Sequence, residues 1–165
     1  MFAFPLYYSF LKKAAWSGVL VSFLLCIWTV QFIPIWVYLW DGLFDKFDQV
    51  GGTGTENYWT PMNYCAISVQ IAFGAIVGKV NGFQIMWVGL IFGFIWELNY
   101  ALNHTVYYSS MQGLLNEMWI FSSTFGVVTA WILGPHGEQG TSNENYASGK
   151  KTTVFSWIGA AFLIT

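Results

Sequence analysis

No arginine occurs anywhere in the 165 residues, and charge of either sign is scarce, six lysines and eight acids leaving a formal net charge of −2. Charged residues make up 8% of the chain, against about 25% in a typical soluble domain. That shortage excludes an ordinary soluble globule. It also excludes nucleic acid as a main partner, because no basic patch or stripe is there to neutralise a phosphate backbone. Cysteine is nearly as rare. Cys26 and Cys65 both lie in apolar runs with no Cys or His at ligand spacing, which argues against a disulfide framework and a metal site. No Gly-rich phosphate loop, no Ser/His/Asp set and no catalytic carboxylate pair with a nucleophile is visible, so no catalytic activity of its own is expected. Met1–Phe10 is apolar but lacks the positive start and cleavage site of a secretory signal, and is read as mature sequence.

What is present is apolar. Hydrophobic residues reach 56% and aromatic residues 21%, with a mean hydropathy of +0.52, more than a small globule can bury. The bilayer is the expected solvent, and the fold class an all-α integral membrane bundle forming one transmembrane domain over residues 1–165. Ala14–Trp40 holds twenty-seven residues without a charge, roughly 40 Å of helix against a hydrocarbon core of roughly 30 Å. Pro34 inside it cannot donate to the carbonyl of Val30, so a kink is expected there. Further runs follow at Asn57–Gly78, at Asn81–Asn103 with Glu97 inside it, and at Asn116–Leu133 with Glu117 near its start. Thr152–Thr165 has the same character but only fourteen residues, too few to cross unaided. The pattern predicts four full spans near 14–40, 58–79, 82–103 and 113–134, with partial helices at both ends.

Lys12, Lys13, Lys79, Lys150 and Lys151 fall on one side of this alternating path and only Lys46 on the other. The lysine-rich side therefore faces the cytoplasm, or the matrix in a mitochondrial membrane. Asp41, Asp45, Asp48 and Glu56 mark the opposite side around a Gly/Thr-rich loop, Gly51–Thr55, read as flexible. Gly74 and Gly78, Gly89 and Gly93, and Ser122 and Gly126 each repeat at four-residue spacing on successive spans. Small residues so spaced permit close helix approach, within this chain or against a partner.

A family then comes into view. Asn63–Val69, Ala72–Ala75, Gly78-Lys79-Val80 and Gln84 resemble the Rh glycoprotein branch of the ammonium transporters. Upstream, Phe10–Lys13, Phe23–Leu25 and Gln31 are similar to it as well. Downstream, Phe121, Phe125-Gly126, Ile132-Leu133, Trp157–Gly159 and Phe162-Leu163 continue the likeness, roughly from the end of the family's second helix to the start of its sixth. The resemblance implies two inverted five-helix repeats around a narrow ammonia pore in a trimer, with phenylalanines at the entrance and a histidine midway from each repeat. Ammonium attracted by an aromatic mouth must shed its proton or be escorted by imidazole, because the ion pays heavily in hydrocarbon.

Carried over residue by residue, Phe23 falls at a pore phenylalanine, with a lipid-facing or core position as the alternative. Counting back without gaps from Phe125-Gly126 puts Met111 at the family's acidic position, leaves Gly113 from its glycine pair, and puts Trp119 at the first pore histidine. The second histidine belongs to a repeat outside the matched stretch. His104 and His136 stand at the edges of spans, and Asn103-His104-Thr105 spells a glycosylation sequon. Glu97 and Glu117 form a candidate polar intramembrane site, on adjacent spans and able to approach one another, with an interfacial position for each as the alternative.

The expectation is a shortened, pore-degenerate, non-transporting accessory or structural subunit of a larger membrane complex, with the matched repeat incomplete and the histidine replaced. The alternative is a half-size ammonia channel completed by oligomerisation or by a second chain. A third reading is a membrane subunit of an electron-transfer enzyme. No cofactor is expected; bound lipids and other membrane subunits are. The arginine-free, aromatic-rich composition points to the mitochondrial inner membrane, with the plasma membrane, usual for the family, as the alternative.

Overall fold

The computed structural model describes Ser9 and residues 15–43, 56–105, 111–133 and 150–164, almost all of them helical. Five helices follow in order: α1 (Ala15–Leu43), α2 (Glu56–Ile76), α3 (Gly82–Thr105), α4 (Met111–Leu133) and α5 (Lys150–Ile164). Each coincides with a run poor in charge, where backbone groups withdrawn from water satisfy one another within a helix. α1 continues through Pro34 as one helix of 29 residues. The N-terminal partial helix, the Gly51–Thr55 loop and most of the polar stretch Gly134–Lys151 lie outside the described residues.

Among the described residues, two stretches suffice by length and apolarity together to cross a bilayer, Trp16–Trp40 in α1 and Gly82–Asn103 in α3. α2 and α4 carry shorter apolar stretches, Met62–Ile76 and Met118–Leu133, where four full spans were expected. The reason is local: Glu56, Asn57 and Thr60 open α2, and Gln112, Asn116 and Glu117 open α4. α2 also ends sooner than its uncharged run. The chain turns over Val77–Val80, with Val77 N donating to Phe73 O at 2.9 Å and Lys79 N to Ile76 O at 3.0 Å. Gly78 makes that turn at φ 78°, a left-handed conformation that side-chain-bearing residues resist. α3 restarts at a reciprocal cap, Asn81 N donating to Gln84 Oε1 at 2.9 Å while Ile85 N donates to Asn81 O at 3.0 Å, the pattern of a capping box.

α2 and α3 each pack against all three other main helices, whereas α1 and α4 share no extended contact. α5 stands apart, meeting α1 where the Phe155 ring lies 5.6 Å from Trp16. The core is filled by Trp96, Phe73, Phe92, Leu25, Ile33, Ile76 and Val69, all but inaccessible to solvent. Phe92 reaches α4 through Phe121 and Phe125, with ring centroids at 5.5 and 5.1 Å. The outside is apolar as well. Leu20, Leu24, Ile27, Ile35, Trp87, Ile91, Ile120, Val127 and Trp131 are exposed, and helices apolar on every side are those of a membrane bundle.

Candidate functional site

A ladder of aromatic side chains joins α1 to α3. Trp28, Phe32, Trp36 and Trp40 recur every four residues and so share one face of α1. Trp28 Nε1 donates to Met86 O at 3.2 Å and Trp40 Nε1 to Phe94 O at 3.1 Å. Ascending order in both pairs means that α1 and α3 run in the same direction. Between them Trp36 packs edge-on to Phe94, centroids 5.2 Å apart, and its buried Nε1 has no hydrogen-bond partner among the described residues.

A few polar side chains are buried beside the apolar core. Ser22 Oγ donates to Gln70 Oε1 at 2.9 Å, and Gln70 Nε2 returns a bond to Ser22 O at 2.9 Å, so a fully buried pair ties α1 to α2. The buried hydroxyls of Thr29 and Ser122 bond back to carbonyls four residues earlier, Leu25 O at 2.8 Å and Met118 O at 2.6 Å. That is how hydroxyls avoid an unmet group in a dry helix interior. Ser68 is as deeply buried, and its Oγ finds no partner among the described residues. Cys26 and Cys65 are free and buried. Glu97 is also buried, 3% exposed. Nearer the end of α3, Asn103 Nδ2 donates to Asn99 Oδ1 at 3.3 Å.

The residues singled out from the sequence are dispersed. Phe23 is half-buried on α1 and Trp119 is 52% exposed on α4, so the two pore-related positions stand on helices without extended contact. Glu97 is interior, while the side chain of Glu117 lies outside the described residues, and with it the proposed approach of the two carboxyls. The same holds for the side chains of Met111 and His104, and for His136, while Gly113 lies in the first turn of α4. Among the described residues no group of His, Cys, Asp and Glu is placed to hold a metal.

The small residues divide by role. A Cβ on Gly126 would lie 2.6 Å from Ala72 O and 3.0 Å from Ala72 Cα, so α4 approaches the backbone of α2 itself. Gly89 and Gly93 lie against α1, where a Cβ on Gly89 would meet Leu25 Cδ1 at 2.7 Å and Thr29 Oγ1 at 2.9 Å. Gly74 is half-buried on α2. Gly78, expected to pack, is exposed two residues beyond α2 and serves the reversal of the chain. Missed in the sequence were the Ser22–Gln70 pair, signalled by a glutamine midway along an uncharged run, and the aromatic ladder, whose spacing is plain once sought.

No family model matches the chain, and no solved structure matches it significantly. Among curated proteins it is 31% identical over 160 residues to the ammonium transporter Rh type C of Xenopus tropicalis and 31% identical over 160 residues to that of Xenopus laevis. Against that of Bos taurus it is 29% identical over 157 residues. Each alignment takes in 94% of this chain and 32–33% of the relative, so the chain spans about a third of the length of the curated relatives it matches. These relatives are named as transporters, not enzymes, and lend no support to a mitochondrial membrane or to a membrane enzyme complex. The residues quoted for the resemblance, the apolar helices and these relatives agree: the chain is ammonium-transporter-like, of the Rh type, and built for a membrane.

Proposed function

We propose that this chain is a non-transporting, Rh-like structural or accessory subunit that works beside other membrane chains. The observation that carries the reading is Trp119. It stands where the resemblance puts a pore histidine, and an indole N–H is a donor only, with no lone pair to take a proton from ammonium. Neither histidine of the chain compensates, since His104 is the last residue but one of α3 and His136 follows α4. A cation without a base to relieve it pays several kcal/mol in the bilayer interior.

In this reading α2 and α4 cross the membrane together with α1 and α3. Their 21 and 23 residues span roughly 32 and 35 Å as helix, enough for a core of roughly 30 Å, and their polar first turns meet the headgroups on the acidic side. The apolar outer side of α4, with Ile120, Val127 and Trp131 exposed, is the side open to a neighbouring subunit. The plasma membrane, usual for the family resembled, is the assigned compartment. Reconstituted into liposomes with an internal pH dye, the chain gives no ammonia-driven change beyond that of empty vesicles. A saturable flux lost in Phe23→Ala refutes the proposal. Purified in mild detergent from its own membrane, the chain carries other membrane proteins with it; migration alone as a single species refutes the subunit role.

A further inference from the structure

Between the first half of α1 and the start of α3 lies an apolar recess of about 190 Å³, lined by Val21, Leu24, Leu25, Trp28, Gly82, Ile85 and Met86. It is smaller than the roughly 300–1,000 Å³ of a pocket for a whole small molecule, and comparable to the roughly 150 Å³ apolar cavity that admits benzene. A length of hydrocarbon chain fits that size. Leu24 and Met86 on its rim are exposed, so the recess opens sideways from the bundle, toward acyl chains when the helices lie in a bilayer. An unfilled apolar hollow forfeits dispersion contacts along its walls, and water gains nothing there without polar partners.

A charge lies close to the recess along the chain. Lys79 is exposed in the turn that leads into α3, three residues from Gly82, hence no more than about 11 Å away along the chain. It is the only charged residue between Glu56 and Glu97, and α1 from Trp16 to Trp40 has none. The acids nearest to it in sequence on α2 and α3, Glu56 and Glu97, stand 23 and 18 residues away. The remaining lysines, apart from Lys46, belong to the same side of the membrane by the alternation of the spans.

We infer that this recess and Lys79 together form a binding site for one anionic glycerophospholipid, an acyl chain lying in the recess and the phosphate meeting the ammonium. The inference rests on the chain's lying in a bilayer with Lys79 at the headgroup level. It is independent of whether ammonia is conducted. The charge selects the headgroup and the recess holds the chain, so the two contributions separate by mutation.

Gly82 lines the recess, and a Cβ placed there meets nothing within 4 Å, so Gly82→Leu adds bulk at the recess without a clash at its Cβ. The purified chain is titrated in detergent with phosphatidylglycerol or phosphatidylcholine, and bound lipid is counted by native mass spectrometry. One phosphatidylglycerol is retained about fivefold more tightly than phosphatidylcholine, the size of one lysine's attraction to an anionic lipid surface. Lys79→Gln brings the two lipids level. Gly82→Leu weakens both about tenfold at an unchanged melting temperature. Glycerol phosphate, which has the anion but no chains, is not retained. Equal binding of the two lipids by the native chain, a headgroup preference that survives Lys79→Gln, or lipid binding untouched by Gly82→Leu overturns the site.

Discussion

Replacing Gly126 by alanine adds one methyl group where α4 touches α2, and the structure sets its cost. The new carbon would sit 2.6 Å from Ala72 O and 3.0 Å from Ala72 Cα, about 0.8 Å inside ordinary contact for the closer of the two. Both neighbours are backbone atoms, so no side chain can swing aside and the helices must part. A gap of about 0.5–1 Å forfeits a quarter to a half of each dispersion well along the seam, and overpacking of this kind costs about 1–3 kcal/mol. Alanine recovers up to about 1 kcal/mol of helix propensity, leaving a net loss of about 1–2 kcal/mol. Gly89→Ala costs less, because Leu25 Cδ1 and Thr29 Oγ1 are ends of side chains that can move. Gly82→Ala, with open space around its Cβ, costs nothing. Unfolding of the three variants in a mixed-detergent titration should rank Gly126→Ala as least stable, Gly89→Ala next, and Gly82→Ala equal to the parent or better. Ala72→Gly should not rescue Gly126→Ala, since the clash is with the main chain. Rescue by Ala72→Gly, or a Gly126→Ala chain as stable as its parent, refutes the close approach of α4 to α2.

The reciprocal bonds between Ser22 and Gln70 predict a coupling of about 0.6–1.7 kcal/mol in a double-mutant cycle of Ser22→Ala and Gln70→Leu, the range found for interhelical bonds in lipid; additivity within about 0.3 kcal/mol removes the pair from the account of stability. Because Cys26 and Cys65 are buried, the native chain should be silent to an impermeant maleimide, and Lys46→Cys and Lys79→Cys should label from opposite sides of a sealed vesicle. Labelling of both from one side refutes the proposed crossings.

Much of the helical layout could be read from charge alone. The uncharged stretch Ala14–Trp40 became α1, and Asn81–Asn103 became most of α3, because a desolvated backbone has few alternatives to helix. Ends were harder. The run to Gly78 gave no sign that α2 closes at Ile76, since a glycine that permits close packing and a glycine that permits a left-handed turn are the same letter at the same spacing. Gly126 and Gly78 differ only in what the chain does next. Facing was hardest of all: which side of α4 Trp119 occupies depends on where α2 and α3 lie, a three-body fact absent from any local pattern. The aromatic residues at 28, 32, 36 and 40 of α1 stand at four-residue spacing in the sequence, yet a membrane-interface belt accounts for Trp36 and Trp40 equally well until Met86 O and Phe94 O are seen accepting from Trp28 and Trp40.

Those two indole bonds have a consequence for biogenesis. α1 leaves the ribosome before α3, so Trp28 and Trp40 are made before the carbonyls of Met86 and Phe94 exist. A donor stranded in hydrocarbon costs free energy until it is met, and the helix emerging between them, α2, meets α1 through Ser22 and Gln70 instead. The glutamine pair thus holds the growing hairpin while the indoles wait, and the arrival of α3 closes a sequence in which each helix is retained by its predecessor before it retains its successor.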